Sequence, residues 1–206
     1  AAMYKLGIIN LRGMNGETQN VVEGIQWLKR AASLADKENP HALHELGLLY
    51  EGAVNGNCDP AISNVLRGDP KLSFDYFAAA AKLDYSPAHF KLGSIYEYGL
   101  LGCPIDARLS LAWYSRGAQK RDPDCELALS GWYLTGAEGI LQQSDKEAYL
   151  WARKAAEKGL SKAEYAMGYF SEVGIGAKES LDEARRWYYK AASQNHSKAI
   201  EKLQEL

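Results

Sequence analysis

The chain has 206 residues, 47% of them hydrophobic, with 24 basic and 26 acidic side chains and a formal net charge of −2. This is the composition of a folding sequence, and its balanced charge argues against a nucleic-acid or anionic-membrane surface as the main role. No apolar run reaches transmembrane length, none reads as a signal peptide, and Cys58, Cys103 and Cys125 stand singly, as free thiols of a reducing compartment do.

The first predicted helix opens at once in "AAMYKLG", so the chain reads as a piece of a longer protein. Its anchor is Ala2, followed by apolar Leu6 and small Gly7. A second helix carries "WLKRAA" (Trp27–Ala32). The two-part pattern then returns. Ala42–Leu46–Gly47 is followed by "YFAAAA" (Tyr76–Ala81), and Ala88–Leu92–Gly93 by "WYSRGA" (Trp113–Ala118). Cys125–Leu129–Ser130 is followed by "WARKAA" (Trp151–Ala156), and Ala163–Met167–Gly168 by "WYYKAA" (Trp187–Ala192). A last first-type helix, "KAIEKLQEL", is anchored at Ala199. Successive anchors are 40, 46, 37, 38 and 36 residues apart. The spacing predicts one array over 1–206: helix pairs at about 1–38, 39–85, 86–121, 122–160 and 161–196, and half a pair at 197–206. The segment "AVNGNCDPAISNVLRGD" (53–69) is rich in Asn, Gly, Asp and Pro and predicts a long, partly mobile loop insertion.

A glycine inside a helix costs roughly 1 kcal/mol against alanine. Its recurrence predicts a compensating contact: the paired helix comes close, with its bulky Trp or Tyr beside the small residue. Six residues on, Gly13, Gly99, Gly136 and Gly174, and one place early Gly52, are expected to end the first helices in the left-handed conformation. Asn39-Pro40, Ser86-Pro87 and Asp122-Pro123 read as helix starts, with Ser161 and Ser197 capping the last two. One pair cannot bury its own apolar face. The expected fold is therefore an all-α, right-handed α-solenoid of helix-turn-helix repeats with a concave side.

No chemistry is legible. His41 and His44 share a helix with Glu45, but H-E-x-x-H and a third ligand are missing, and His44 occupies a column that other copies fill with Tyr or Phe. Cys125 replaces the anchor alanine and reads as a buried small residue. Asn195-His196-Ser197 has the form of a glycosylation sequon but sits at an inter-repeat turn. No catalytic, cofactor-binding or metal-binding residue is predicted, and the chain reads as a non-enzyme. A binding face is expected instead. The inward column is Tyr4, His44, Phe90, Leu127 and Tyr165, with Leu11, Glu51, Glu97, Leu134 and Glu172 turned the same way and Tyr98 and Tyr169 alongside. An aromatic column edged by carboxylates suits a segment with apolar anchors and basic flanks. The Trp-Tyr pairs at Trp113 and Trp187 are expected in the core.

The pattern A-x3-[LM]-G-x2-[YF]-x2-G, then A-x2-W-[YA]-x-[KR]-A-A, resembles the SEL-type tetratricopeptide-like repeat over nearly the whole chain. The stretch "LSGWYLTGAEGILQQSDKEAYLWARKAAEKGLSKAEYAMGYFSEVGIG", with "AMYKLG…GIQWLKRAA" near the start, is similar to the repeats of fungal chitin synthase activators. That resemblance implies a non-enzymatic scaffold without cofactor. It would bind a membrane chitin synthase catalytic subunit, and septin-associated scaffold proteins, and position or activate the synthase for cell-wall and septum chitin. The implied location is cytoplasmic, peripheral to the plasma membrane at bud neck or septum, reached through the partner or a lipidated tail. The chain stops at Gln204-Glu205-Leu206 with no nearby cysteine for such a tail. Two alternatives stay open: an adaptor in endoplasmic-reticulum protein degradation, and a bacterial-type secreted repeat protein with hydrolase activity.

Overall fold

The computed structural model describes residues 1–206 and is all-α. The helices are α1 (Ala2–Arg12), α2 (Val21–Ser33), α3 (His41–Asn55), α4 (Pro60–Ser63), α5 (Pro70–Lys82), α6 (Ser86–Tyr98), α7 (Ala107–Gln119), α8 (Pro123–Thr135), α9 (Asp145–Ala156), α10 (Ser161–Val173), α11 (Leu181–Ser193) and α12 (Ser197–Glu205). They gather into two compact units, 1–106 and 107–206. In the first, α1 packs on α2, α2 on α3, α3 on α5 and α5 on α6. In the second, each helix from α7 to α12 packs on the next. No helix is long and apolar enough to cross a membrane.

The small residues do bring helices together, but against a different side chain from the one expected. A Cβ on Gly7 would lie 2.8 Å from Leu28, one on Gly47 2.6 Å from Phe77, and one on Gly168 2.5 Å from Tyr188. Each contact residue follows the Trp or Tyr of its motif by one place. Tyr114 and Tyr188 are fully buried. Trp113 and Trp187 are half-buried, so the tyrosine of each pair lies in the core while Trp187 packs against its edge. A helix turns about 100° per residue, so adjacent residues cannot share one contact. The tryptophans instead carry cations from the next turn: Arg30 over Trp27, Arg116 over Trp113, Lys154 over Trp151 and Lys190 over Trp187, 3.7 to 5.1 Å from the ring centroids.

Gly13, Gly99 and Gly174 end α1, α6 and α10 with φ of 63°, 66° and 77°. Gly136 follows α8 with φ 71° but ψ 176°, outside the left-handed helical region. Gly52 stays helical, and α3 runs on to Gly56. The 53–69 segment is not an open loop. It forms α4 and places Ile62 and Leu66 in the core with Leu49 and Tyr50. Two apolar side chains at a four-residue spacing outweigh the polar composition around them.

Capping also divides differently from the sequence expectation. Among the first helices, Asp122 accepts a hydrogen bond from the Cys125 amide at 3.0 Å, while Asn39 bonds back to Asp36, and Ser86, Ser161 and Ser197 lie inside their helices. The second helices carry the side-chain caps: Asn20 to the Glu23 amide, Asp69 to Leu72, Ser144 to Glu147 and Ser180 to Glu183. Three of these are [S/N]-x-x-E, a recognised start signal.

Candidate partner-binding face

Each residue of the expected column sits near the start of a first helix, two places past its anchor; the anchors Ala42, Ala88, Cys125 and Ala163 are buried, while Ala2 is exposed. In the first unit Tyr4 meets His41 with ring centroids 5.6 Å apart, and His41 meets Tyr85 at 5.3 Å. His44 lies edge-on to Phe77 at 5.5 Å and to Tyr85 at 5.4 Å. In the second unit Tyr165 stacks on His196 at 4.8 Å and leans on Tyr188 at 5.5 Å. Leu127 packs beside Leu160 against the cluster of α9 and α10. Tyr4, His44, Phe90, Leu127 and Tyr165 are all half-buried.

Sequence reasoning missed His41, Tyr85 and His196. Tyr85, Leu160 and His196 share one position, three residues before an anchor; Tyr85 and His196 pack on the column residue of the preceding repeat, and Leu160 packs against the same cluster as Leu127. The repeat alignment held that signal, but the position was read only as a turn.

The carboxylate edge is corrected. Glu51 is buried, 9% exposed, and accepts a 2.5 Å hydrogen bond from Lys91 of α6. Glu172 accepts from the Tyr188 hydroxyl at 2.6 Å and pairs with Lys202 of α12 at 3.4 Å. Burial, with the hydrogen bond to Glu172 added to it, raises the Tyr188 phenol well above the ordinary tyrosine range. Glu97 is hydrogen-bonded to Tyr98. Leu11 is 2% exposed and Leu134 packs with the α9–α10 core. The Glu51–Lys91 and Glu172–Lys202 pairs hold neighbouring first helices in register. They do not form an open acidic rim, because a charge near a helix–helix seam is stable there only with a partner. Tyr98 and Tyr169 remain open, 63% and 44% exposed.

Burial lowers the pKa of His44 to about 4, with the Lys91 ammonium and His41 acting in the same direction and the Pro87 carbonyl opposing. Burial likewise pushes the Cys125 thiol far up, as expected of an inert small residue at an anchor. No group of three or more His, Cys, Asp or Glu is placed to hold a metal.

The Sel1 repeat model matches residues 1–36, 40–85, 86–122, 123–160 and 161–196. The chain is 47% identical over 196 residues to the chitin synthase regulator SKT5 of Malassezia restricta, covering 95% of this chain and 13% of that protein. It is 42% identical over 204 residues to chitin synthase regulatory factor 3 of Schizosaccharomyces pombe, covering 99% and 21%. It is also 40% identical over 218 residues to activator of C kinase protein 1 of Saccharomyces cerevisiae, covering 100% and 34%. The chain thus spans between 13% and 34% of the length of these relatives. Among solved structures, a protective antigen of uropathogenic Escherichia coli displaying an SLR fold superposes with a TM-score of 0.78 at 25% identity, over 98% of this chain and 40% of the other. Five consecutive matched repeats, four of them with the small residue (Gly7, Gly47, Ser130, Gly168) seated on the paired helix or hydrogen-bonded to it, identify the chain as a member of the Sel1 repeat family.

Proposed function

We propose that this chain is the repeat scaffold of a non-catalytic chitin synthase regulator. It binds the synthase catalytic subunit and positions or activates it for cell-wall and septum chitin. The observation that carries this reading is the 42–47% identity to two named chitin synthase regulators over 95% or more of the chain. Activation by a scaffold requires only that it bind the active form of the enzyme more tightly than the inactive form. On this reading the chain works on the cytoplasmic side, peripheral to the plasma membrane at bud neck or septum. Septin-associated proteins are further partners.

We assign a docking face in each unit. In the first, Tyr98 supplies exposed contact area at low entropic cost beside half-buried Tyr4, His44 and Phe90, with Glu51 tied to Lys91 and Glu97 to Tyr98. In the second, Tyr169 does so beside half-buried Leu127 and Tyr165, with Glu172 paired to Lys202. Interface hot spots are enriched in such aromatics. The test is a pull-down of solubilised fungal membranes on this chain, read by mass spectrometry. A second bait carries Tyr98→Ser and Tyr169→Ser. The expected result is synthase on the native bait and about tenfold less on the variant, with helicity unchanged. Equal retention moves the interface off both faces. Absence of the synthase from both baits removes the proposed partner for this chain.

A further inference from the structure

In the second unit a hollow of about 490 Å³ opens between the end of α7 and the outer side of α9. Its walls include Trp151, Arg121, Lys154, Lys158, Glu126 and Glu157. The two carboxylates are already neutralised: Glu126 by Lys158 at 2.5 Å, Glu157 by Arg153 at 2.8 Å. Two cations have no carboxylate partner. The Lys154 ammonium lies 3.7 Å from the centre of the Trp151 ring, and the Arg121 side chain is exposed.

Arg121 breaks the local rule of the fold. Each second helix from the second repeat onward ends with a left-handed residue three places past its last alanine: Asp84, Arg121, Gly159 and Asn195, with φ of 67°, 62°, 82° and 62°. Gly, Asn and Asp adopt that conformation readily, and a long side chain does not. Backbone bonds impose it on Arg121, whose amide donates to Ala118 at 2.8 Å while Lys158 Nζ donates to its carbonyl at 3.0 Å. Nothing in the packing rewards the guanidinium. Strain held at such a position is a mark of function.

We infer that this hollow binds a phosphorylated serine or threonine side chain of a partner protein. Arg121 would supply the planar fork that matches phosphate oxygens, and Lys154 a second charge. The Trp151 ring forms an apolar wall for the carrying chain. The site is a pocket and not a membrane patch: polybasic membrane segments use clusters of four to eight Lys or Arg, whereas this chain carries −2 overall.

The test is an NMR titration of the isotope-labelled chain with N-acetyl-phosphoserine amide, inorganic phosphate and phosphatidylserine-containing vesicles as separate probes. The expected result is saturable shifts of the Trp151 indole and the Arg121 and Lys154 amides with the phosphoserine probe alone. Arg121→Gly should weaken this binding at least about tenfold. It should also leave the urea midpoint unchanged or raised, because glycine removes the backbone strain. Lys154→Met should weaken binding likewise. A purely structural Arg121 predicts the opposite, unchanged binding with lower stability, and overturns the inference. Equal response to inorganic phosphate reduces the site to an adventitious anion, and response to vesicles alone makes it a lipid contact. Either outcome, or no saturable shift at millimolar phosphoserine, rejects the proposal.

Discussion

Gly176→Ala should lower the unfolding free energy of the chain by about 3 kcal/mol. Two separate costs combine. Gly176 has φ +69°, where a residue with a Cβ pays about 1–2 kcal/mol. The new Cβ would also overlap the Asp145 carbonyl oxygen and lie 2.5 Å from the Tyr149 Cβ. Those atoms belong to α9 and one of them is backbone, so no side-chain rotation relieves the clash. Overpacking of that kind costs a further 1–3 kcal/mol or so. Gly159 separates the two terms. It has φ +82° but open space around its Cβ, so Gly159→Ala should cost about 1 kcal/mol. Gly159→Asn should cost less, since Asn195 holds the same conformation in the next repeat. Urea unfolding of the three variants measures both terms. Equal losses for Gly176→Ala and Gly159→Ala would mean that the loop after α10 does not press on α9.

The repeat was legible because one physical demand recurs. Close helix approach needs a small residue, and Gly7, Gly47, Ser130 and Gly168 show it at a fixed spacing. Ser130 even meets the demand with a hydrogen bond, its hydroxyl donating to the Ala148 carbonyl at 2.7 Å. What faced that residue was misread, because "WYYKAA" offers two adjacent aromatics and only helix geometry tells which points inward. The 53–69 segment was misread for a related reason. Composition weighs polar residues against apolar ones, whereas folding needs only Ile62 and Leu66 to find a core. The docking face was half legible. Column positions followed from the period, but pairing across repeats did not, so Glu51 and Glu172 looked like solvent-facing charge. Lys91 and Lys202, each three past an anchor, were the signal. Opposite charges at matching places in neighbouring repeats mark a pair.

Acidification should destabilise this chain through His44, and His44→Phe should remove that share of the loss. The imidazole is wedged between Phe77 and Tyr85, and its Nε2 is buried without a hydrogen-bond partner. Protonation would place a charge there with the Lys91 ammonium nearby, which is why the folded-state pKa falls to about 4. In the unfolded chain the same group titrates near 6.5. Between those values the unfolded state binds more protons, so each fall in pH favours unfolding. The loss begins as pH drops through about 6.5 and is complete near about 4, amounting to about 3 kcal/mol at about 1.4 kcal/mol per pH unit. Other groups of the chain also respond to pH, so the measurement is the difference between native and His44→Phe unfolding curves. The two should diverge steadily from pH 7 toward 4. Phenylalanine occupies the same column at Phe90, so the variant should fold, and at pH 7 it should be at least as stable because it leaves no buried polar atom unsatisfied. Parallel curves would mean that His44 accepts its proton without leaving the aromatic seam. The aromatic seam around His44 would then tolerate a positive charge.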